Sequence, residues 1–467
     1  MTLVKQEKTG TARWPLAAMM VGGAIRTGLL AVAYARTGTH VITQGDTASY
    51  LEPGRNLIKH GKYLIGGLPE IDRTPGYPLF TMLSGMAFDS VLLTVLIQIA
   101  VSMLSLVLVW KITERIFPDR DAGRAAAWLY AAEPISVLYS VRLLPETLFV
   151  LLILATVERL LSFYESGRLS SLSVSGLLLA AATYVRPVSY YLVIPLAVAL
   201  AVTAPRNKGF KWKAPAILLL SVVPWLALWQ LRNKVETGYS GFSSIVEQNL
   251  YFYQSAEVTA ELDHISLGAE QKRLGYPDET SYFAVHPEQK DWSEMQRLQF
   301  MRNQSLQILA NHRGLYLKTH FVGVAVVAFT PCATELLQLL KLYPQDEAMP
   351  RRVLNEGIVS SFEQMLQTHP GVTFALVLFE LTLLILYGLA AYGIARGKGQ
   401  KVPLMLLIGV ALYFLLISGG AQAVGRYRLP VMPEVCIFAG AGLACCRQKK
   451  RAESETPLLV RDALTRS

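Results

Sequence analysis

Apolar residues run along this chain in long uninterrupted stretches, set apart by short clusters of charge and by two long polar segments. The stretches show neither the one-sided stripe of a surface helix nor the alternation of a half-buried strand. Each is long enough to approach the roughly 20 residues that carry a helix across hydrocarbon. They predict spans near 14–34, 90–112, 123–141, 143–162, 171–187, 188–204, 214–231, 371–394, 402–419 and 430–446. A backbone in lipid must pair its own polar groups, so the predicted class is an all-α polytopic membrane protein. The first stretch ends in Ala33-Tyr34-Ala35, which has the look of a small-x-small cleavage site. Arg26 interrupts it, however, and Gly22-Gly23 suits helix packing, so a retained anchor is expected.

Composition agrees. Hydrophobic residues make up 52% and charged residues 17% of the 467 positions, against about 25% charged in a soluble domain. The net charge of +10 suggests nucleic acid until the basic residues are located. Lys5, Lys8 and Arg13 precede the first span; Arg206, Lys208, Lys211 and Lys213 lie between two others. Arg396, Lys398 and Lys401, then Arg447, Lys449, Lys450 and Arg451, follow the same alternation. Basic residues in alternate loops set orientation, cytoplasmic side positive, and no nucleic-acid partner is expected. The four cysteines, Cys332, Cys436, Cys445 and Cys446, suggest neither a disulfide framework nor a zinc site.

This orientation divides the chain into an N-terminal transmembrane module (1–231) carrying a first outer loop (35–89), a large outer segment (232–370), C-terminal transmembrane helices (371–446) and a basic cytoplasmic tail (447–467). The stretch 315–331 is apolar enough to cross, but crossing alone would put Lys398 outside; an interfacial or re-entrant helix is expected. Chemistry then belongs to the outer face. In the first loop, Asp46 opens a helical pattern, where an N-cap role is the simplest reading. Asp72 and Arg73 precede a Thr74-Pro75-Gly76-Tyr77-Pro78 turn whose prolines fix the backbone. Glu133, Arg142, Glu146, Arg186, Arg426 and Arg428 stand at outer ends of spans. Charge at that depth is expensive and tends to face a wet cavity or a partner. His264, His286, His312 and His320 are too scattered to suggest a metal centre.

No P-loop and no G-x-G-x-x-G is present. A sugar donor linked to lipid phosphate needs neither; its transfer needs cations on the leaving phosphate and an acid-base group at the acceptor hydroxyl. The run Asp46-x-x-x-Tyr50, Arg55-Asn56-Leu57, Gly61-x-Tyr63 and Asp72-Arg73-Thr74-Pro75-Gly76-Tyr77-Pro78 resembles bacterial GT-C glycosyltransferases. It is similar to relatives of protein O-mannosyltransferases and of the lipid A aminoarabinose transferase. Glu133-Pro134, Pro145-Glu146, Val185-Arg186-Pro187 and Arg426-Tyr427-Arg428-Leu429-Pro430-x-x-Pro433 extend the likeness.

The resemblance implies a GT-C-type bundle of about 10–12 transmembrane helices with outer loop helices. It implies an inverting glycosyltransferase moving a hexosyl or pentosyl group from a polyprenyl-phosphate donor to a lipid, glycan or protein acceptor. The active site would face the extracytoplasmic side of a bacterial inner membrane. Asp46 would be the base or acceptor-orienting acid. Asp72 would assist it or hold a divalent metal, Mg or Mn; arginines can do the same electrostatic work, so the sequence leaves metal dependence open. Arg73, Arg142, Arg186, Arg426 and Arg428 would clamp the lipid phosphate, and Tyr50, Tyr77 and Glu146 would line the substrate. Two departures stand out: Arg73 replaces the family's lysine, and Glu52-Pro53-Gly54 threatens a kink in the Asp46 helix. The rival readings are a flippase or transporter of lipid-linked glycans, and a polymerase or ligase of them.

Overall fold

The computed structural model describes residues 13–40, 42–43, 45–204, 209–330, 332–343 and 358–465; Lys5, Lys8, Gln44, Arg206, Lys208 and Pro331 lie outside them. Among the described residues, six helices are long and apolar enough to cross a membrane: Pro15–Thr37, Val91–Ile116, Glu146–Ser166, Lys211–Thr237, Pro370–Arg396 and Gly425–Lys449. Leu169–Val185, Pro187–Thr203 and Lys401–Ile417 are shorter apolar helices. The pair Arg313–Phe329 and Ala333–Leu339 meets the same test jointly but bends by 59°, as a broken span or a re-entrant loop would.

The N-terminal elements are α1 (Arg13–Thr37), α2 (Thr47–His60), β1 (Leu64–Ile65), β2 (Leu68–Pro69), α3 (Gly76–Ser84), α4 (Val91–Ile116), α5 (Arg120–Ala132), α6 (Pro134–Val141), α7 (Glu146–Ser166), α8 (Leu169–Val185), α9 (Val193–Thr203) and α10 (Phe210–Thr237). Their buried core is largely aliphatic and aromatic, with small residues at close crossings: a Cβ on Gly176 would lie 2.5 Å from the Ser221 side chain. Close approach of this kind is how helices associate where lipid supplies no hydrophobic drive.

The expected continuous span 123–141 is instead broken. It ends at Ala132 and restarts at Pro134, because proline lacks an N–H and pushes its predecessor into extended backbone. The freed groups are paired internally. The Glu133 carboxylate accepts from the N–H groups of Ile135 (3.1 Å) and Ser136 (2.7 Å). Arg26, fully buried in α1, donates to the Ala131 carbonyl at 2.8 Å and to Ser102 Oγ at 3.0 Å. Arg26 therefore braces the break. α2 continues through Pro53 and Gly54 as one helix, Thr47–His60.

Beyond α10, residues 245–329 are mostly helical. Glu294–Asn311 is opened by a capping box between Ser293 and Gln296. An antiparallel two-stranded ladder, β1–β2, is the sheet among the described residues. By chain direction, the end of α1, the start of α4, the α6–α7 and α8–α9 junctions, the end of α10 and the start of Gly425–Lys449 all fall on one face. The functional candidates gather there.

Candidate active site

Asp46 stands at the N-cap position of α2 but makes no side-chain cap hydrogen bond, so the simplest reading of it fails. Its carboxylate points to two arginines distant in sequence. Oδ1 lies 3.3 Å from Arg73 Nη2, and Oδ2 accepts from Arg426 Nη2 at 2.9 Å. The three side chains remain between a fifth and about a third exposed, at 35% for Asp46, 21% for Arg73 and 26% for Arg426. Burial opposes the charge on Asp46, but Arg426 and Arg73 outweigh it and hold its pKa below the usual carboxylate range. Thr47 Oγ1 donates to the Leu143 carbonyl at 3.0 Å, and the Leu143 N–H donates to the Ile42 carbonyl at 3.0 Å. These bonds tie the loop to the α6–α7 junction.

Arg73 is fixed along its length. Its Nε donates to Ser49 Oγ (3.0 Å) and its Nη1 to Tyr50 OH (3.3 Å), with the guanidinium 4.8 Å from the Tyr50 ring centre. Tyr50 in turn meets Tyr77 edge-on at 5.3 Å, and Tyr77 OH donates to Gln98 Oε1 at 3.0 Å. Burial raises the phenol pKa of both tyrosines. The turn after Arg73 is pressed against the end of α8: a Cβ on Gly76 would sit 2.6 Å from the Tyr184 carbonyl, so only glycine fits. That contact carries the Arg73 loop to Arg186.

Arg186 pairs with buried Glu146 at 3.0 Å. Arg186 and Arg426 stand 5.6 and 5.3 Å from the Tyr427 ring centre. Among the described residues, the second Glu146 oxygen is buried with no hydrogen-bond partner, as is Arg426 Nε. Such groups are costly unless something completes them. Asp46, Arg73, Arg426, Arg186, Glu146, Tyr50 and Tyr77 thus form one connected cluster.

Three expected members lie elsewhere. Both Asp72 oxygens accept from Gln248 Nε2 (2.9 and 3.0 Å), Ser244 Oγ also donates to Oδ1, and the Asp72 carbonyl takes Ser243 Oγ. With its lone pairs turned to these donors, Asp72 ties its loop to the chain that follows α10. Among the described residues no three His, Cys, Asp or Glu side chains are grouped to hold a metal. Arg428, two positions from Arg426, is buried and donates to the Val327 (3.0 Å), Ala328 (2.8 Å) and Thr330 (3.2 Å) carbonyls, capping helix Arg313–Phe329. Arg142 donates to the Glu335 carbonyl at 3.2 Å, and the neighbouring Tyr139 hydroxyl donates to the Glu335 carboxylate.

Sequence reasoning passed over Glu70, Arg232, Ser244, Gln248 and Glu335. Glu70 had one local signal, the Gly66-Gly67 pair, whose positive φ values of 55° and 82° close the hairpin just before it. The other four act across more than 150 positions of chain and leave no local trace.

The sequence model of the family described as dolichyl-phosphate-mannose-protein mannosyltransferase matches residues 72–229. The archaeal oligosaccharyltransferase AglB from Archaeoglobus fulgidus, in complex with an inhibitory peptide and a dolichol-phosphate, aligns at TM-score 0.50 and 12% identity. That alignment covers 95% of this chain and 52% of the archaeal one. The apo form of an Archaeoglobus fulgidus oligosaccharyltransferase aligns at TM-score 0.50 and 13% identity, covering 97% and 53%. The chain spans about half the length of these two archaeal chains. No curated protein matches it. The fold is that of these archaeal oligosaccharyltransferases, and the family match begins at Asp72, within the first loop.

Proposed function

We propose that the protein is an inverting glycosyltransferase that takes a sugar from a polyprenyl-phosphate donor on the extracytoplasmic face of a bacterial inner membrane. The observation that carries this reading is the carboxylate of Asp46 held between two guanidiniums, 3.3 and 2.9 Å away, at the membrane-end face of the bundle. Two arginines converging on one anion make a seat for a phosphate, which gains charge and a further acceptor oxygen beyond a carboxylate's as the sugar departs.

In this reading the donor phosphodiester carries one negative charge, and the departing lipid phosphate carries up to two. Arg73 and Arg426, with Arg186 behind Tyr427, therefore bind the leaving group more strongly in the transition state than in the ground state, which is what accelerates the step. When phosphate takes the arginines, Asp46 loses the two partners that depress its pKa and becomes a better proton acceptor. The acceptor hydroxyl oxygen attacks the anomeric carbon, the bond from that carbon to the phosphate oxygen breaks with its electron pair, and the hydroxyl proton passes to Asp46. Single displacement inverts the anomeric centre. Tyr50, beside the Arg73 guanidinium, is nearest the sugar; Tyr77, fully buried, backs it, and buried Glu146 holds Arg186. Arg142 and Arg428, already spent on carbonyls, have the weaker claim to phosphate.

The test supplies the purified protein, in lipid nanodiscs, with synthetic polyprenyl-phosphate hexose and pentose and with envelope lipid, glycan and protein fractions as acceptors. Movement of labelled sugar into one fraction, abolished by Asp46→Asn, supports the reading. Lipid movement across the bilayer without sugar transfer supports a flippase and sinks it.

A further inference from the structure

We propose that Glu70 is a positioning residue that sets the aim of Arg73 through two backbone hydrogen bonds, so that donor phosphate affinity depends on a side chain that never touches the phosphate. This rests on the reading of Arg73 as a phosphate ligand. Residues 70–75 form neither helix nor strand, so nothing periodic fixes the direction in which Arg73 leaves the chain. Glu70 does that work. It is 3% exposed, and a single carboxylate oxygen, Oε1, accepts the N–H of Asp72 at 2.5 Å and the N–H of Arg73 at 2.7 Å. On the other side of the same residue, Tyr63 OH donates to the Arg73 carbonyl at 2.9 Å. Arg73 is thus gripped at both ends of its backbone before its guanidinium reaches Asp46.

The grip is anchored in a membrane helix. The Glu70 N–H donates to the Tyr63 carbonyl at 3.0 Å. Arg232, near the end of α10, donates from Nη1 to the Glu70 carbonyl at 2.6 Å and from Nη2 to the Tyr63 carbonyl at 3.0 Å. The Arg232 guanidinium also lies 5.0 Å from the Trp229 ring centre and 5.6 Å from that of Tyr63. A rigid chain of contacts therefore runs from α10 through Arg232 and Glu70 to Arg73. What the loop needs from position 70 is an acceptor oxygen at the reach of a Glu side chain; a Gln supplies the same oxygen, and an Ala supplies none. Misplacement of a binding group by about 1 Å can cost two orders of magnitude.

The experiment measures farnesyl phosphate binding by calorimetry to the purified full chain in nanodiscs. The variants are Glu70→Gln, Glu70→Ala, Arg73→Ala, the Glu70→Ala/Arg73→Ala double, and Tyr63→Phe alone and with Arg73→Ala. Expected are about tenfold weaker binding for Arg73→Ala and for Glu70→Ala, binding within about threefold of wild type for Glu70→Gln, and a double variant no weaker than Arg73→Ala. Tyr63→Phe, which keeps the ring and should fold even where Glu70→Ala does not, loses about fivefold in the wild-type background and nothing beside Arg73→Ala. Additive losses in the double variants, or Glu70→Gln as weak as Glu70→Ala, would overturn the positioning role while leaving Arg73 a phosphate ligand. Wild-type binding by Arg73→Ala would overturn that underlying reading instead.

Discussion

Replacing Asp46 with asparagine should make the protein bind lipid phosphate more tightly while destroying transfer. The change keeps the shape of the side chain and removes the charge that sits between Arg73 and Arg426. Two unit charges about 4 Å apart attract by about 4 kcal/mol near a protein surface. About a third of the Asp46 side chain meets water, and exposed pairs measure about 0.2–1 kcal/mol each. Two such pairs give about 0.4–2 kcal/mol that an incoming phosphate must displace, or roughly 2- to 30-fold in affinity at about 1.4 kcal/mol per decade. Calorimetric titration of farnesyl phosphate into wild type and Asp46→Asn in nanodiscs reads this directly. Loss of the proton acceptor should slow transfer by about 10²–10⁴-fold in the same preparation. Weaker or unchanged phosphate binding by Asp46→Asn would refute the competition between carboxylate and phosphate.

Other predictions bear on separate parts of the site. Arg428→Met orphans three carbonyls at the end of Arg313–Phe329; it should lower thermal stability by about 2–3 kcal/mol yet leave farnesyl phosphate affinity unchanged, as detergent melting and calorimetry would show. Tyr50→Phe keeps the ring under Arg73 and should hold phosphate affinity within a few-fold, whereas Tyr50→Ala should lose about tenfold in the same titration. Gln98→Leu removes the amide that donates to the Tyr139, Ser140 and Arg142 carbonyls, and melting should show a loss of about 2–4 kcal/mol. Burial and the nearby Asp72 raise the Glu70 pKa from 4.5 to about 7. The folded chain therefore holds that proton more tightly than the unfolded chain, and the stability it contributes is complete below about pH 4.5 and lost as pH rises through about 7. Melting across pH 4.5–8 should show the decline, and Glu70→Gln should remove it.

Much of this architecture is legible in the residues, for a definite reason. Helices that meet lipid or a packed bundle on every side are apolar all round, so Val91–Ile116 and Pro370–Arg396 stand out as unbroken runs. The same all-round apolarity hides the break at Glu133, since composition reports burial and not continuity; the Glu133-Pro134 step held the clue, through proline's missing N–H. Asp46, Arg73 and Arg426 could be suspected together because charge at one membrane face needs partners. Arg428 could not be told from Arg426. Both lie in the tight helix Gly425–Val431, where about three residues make a turn and positions two apart face different ways. One reaches Asp46 and the other caps a neighbouring helix. Asp72 misled for a related reason: its partners, Ser244 and Gln248, stand 172 and 176 positions away and share no local pattern with it.

The most direct test is a structure of the protein in nanodiscs with farnesyl phosphate bound. The account predicts phosphate oxygens within hydrogen-bond distance of both Arg73 and Arg426, with the Asp46 carboxylate displaced from between them and turned toward the open side of the cluster. A phosphate bound elsewhere, with the Asp46 pairs intact at their present separations, would contradict it.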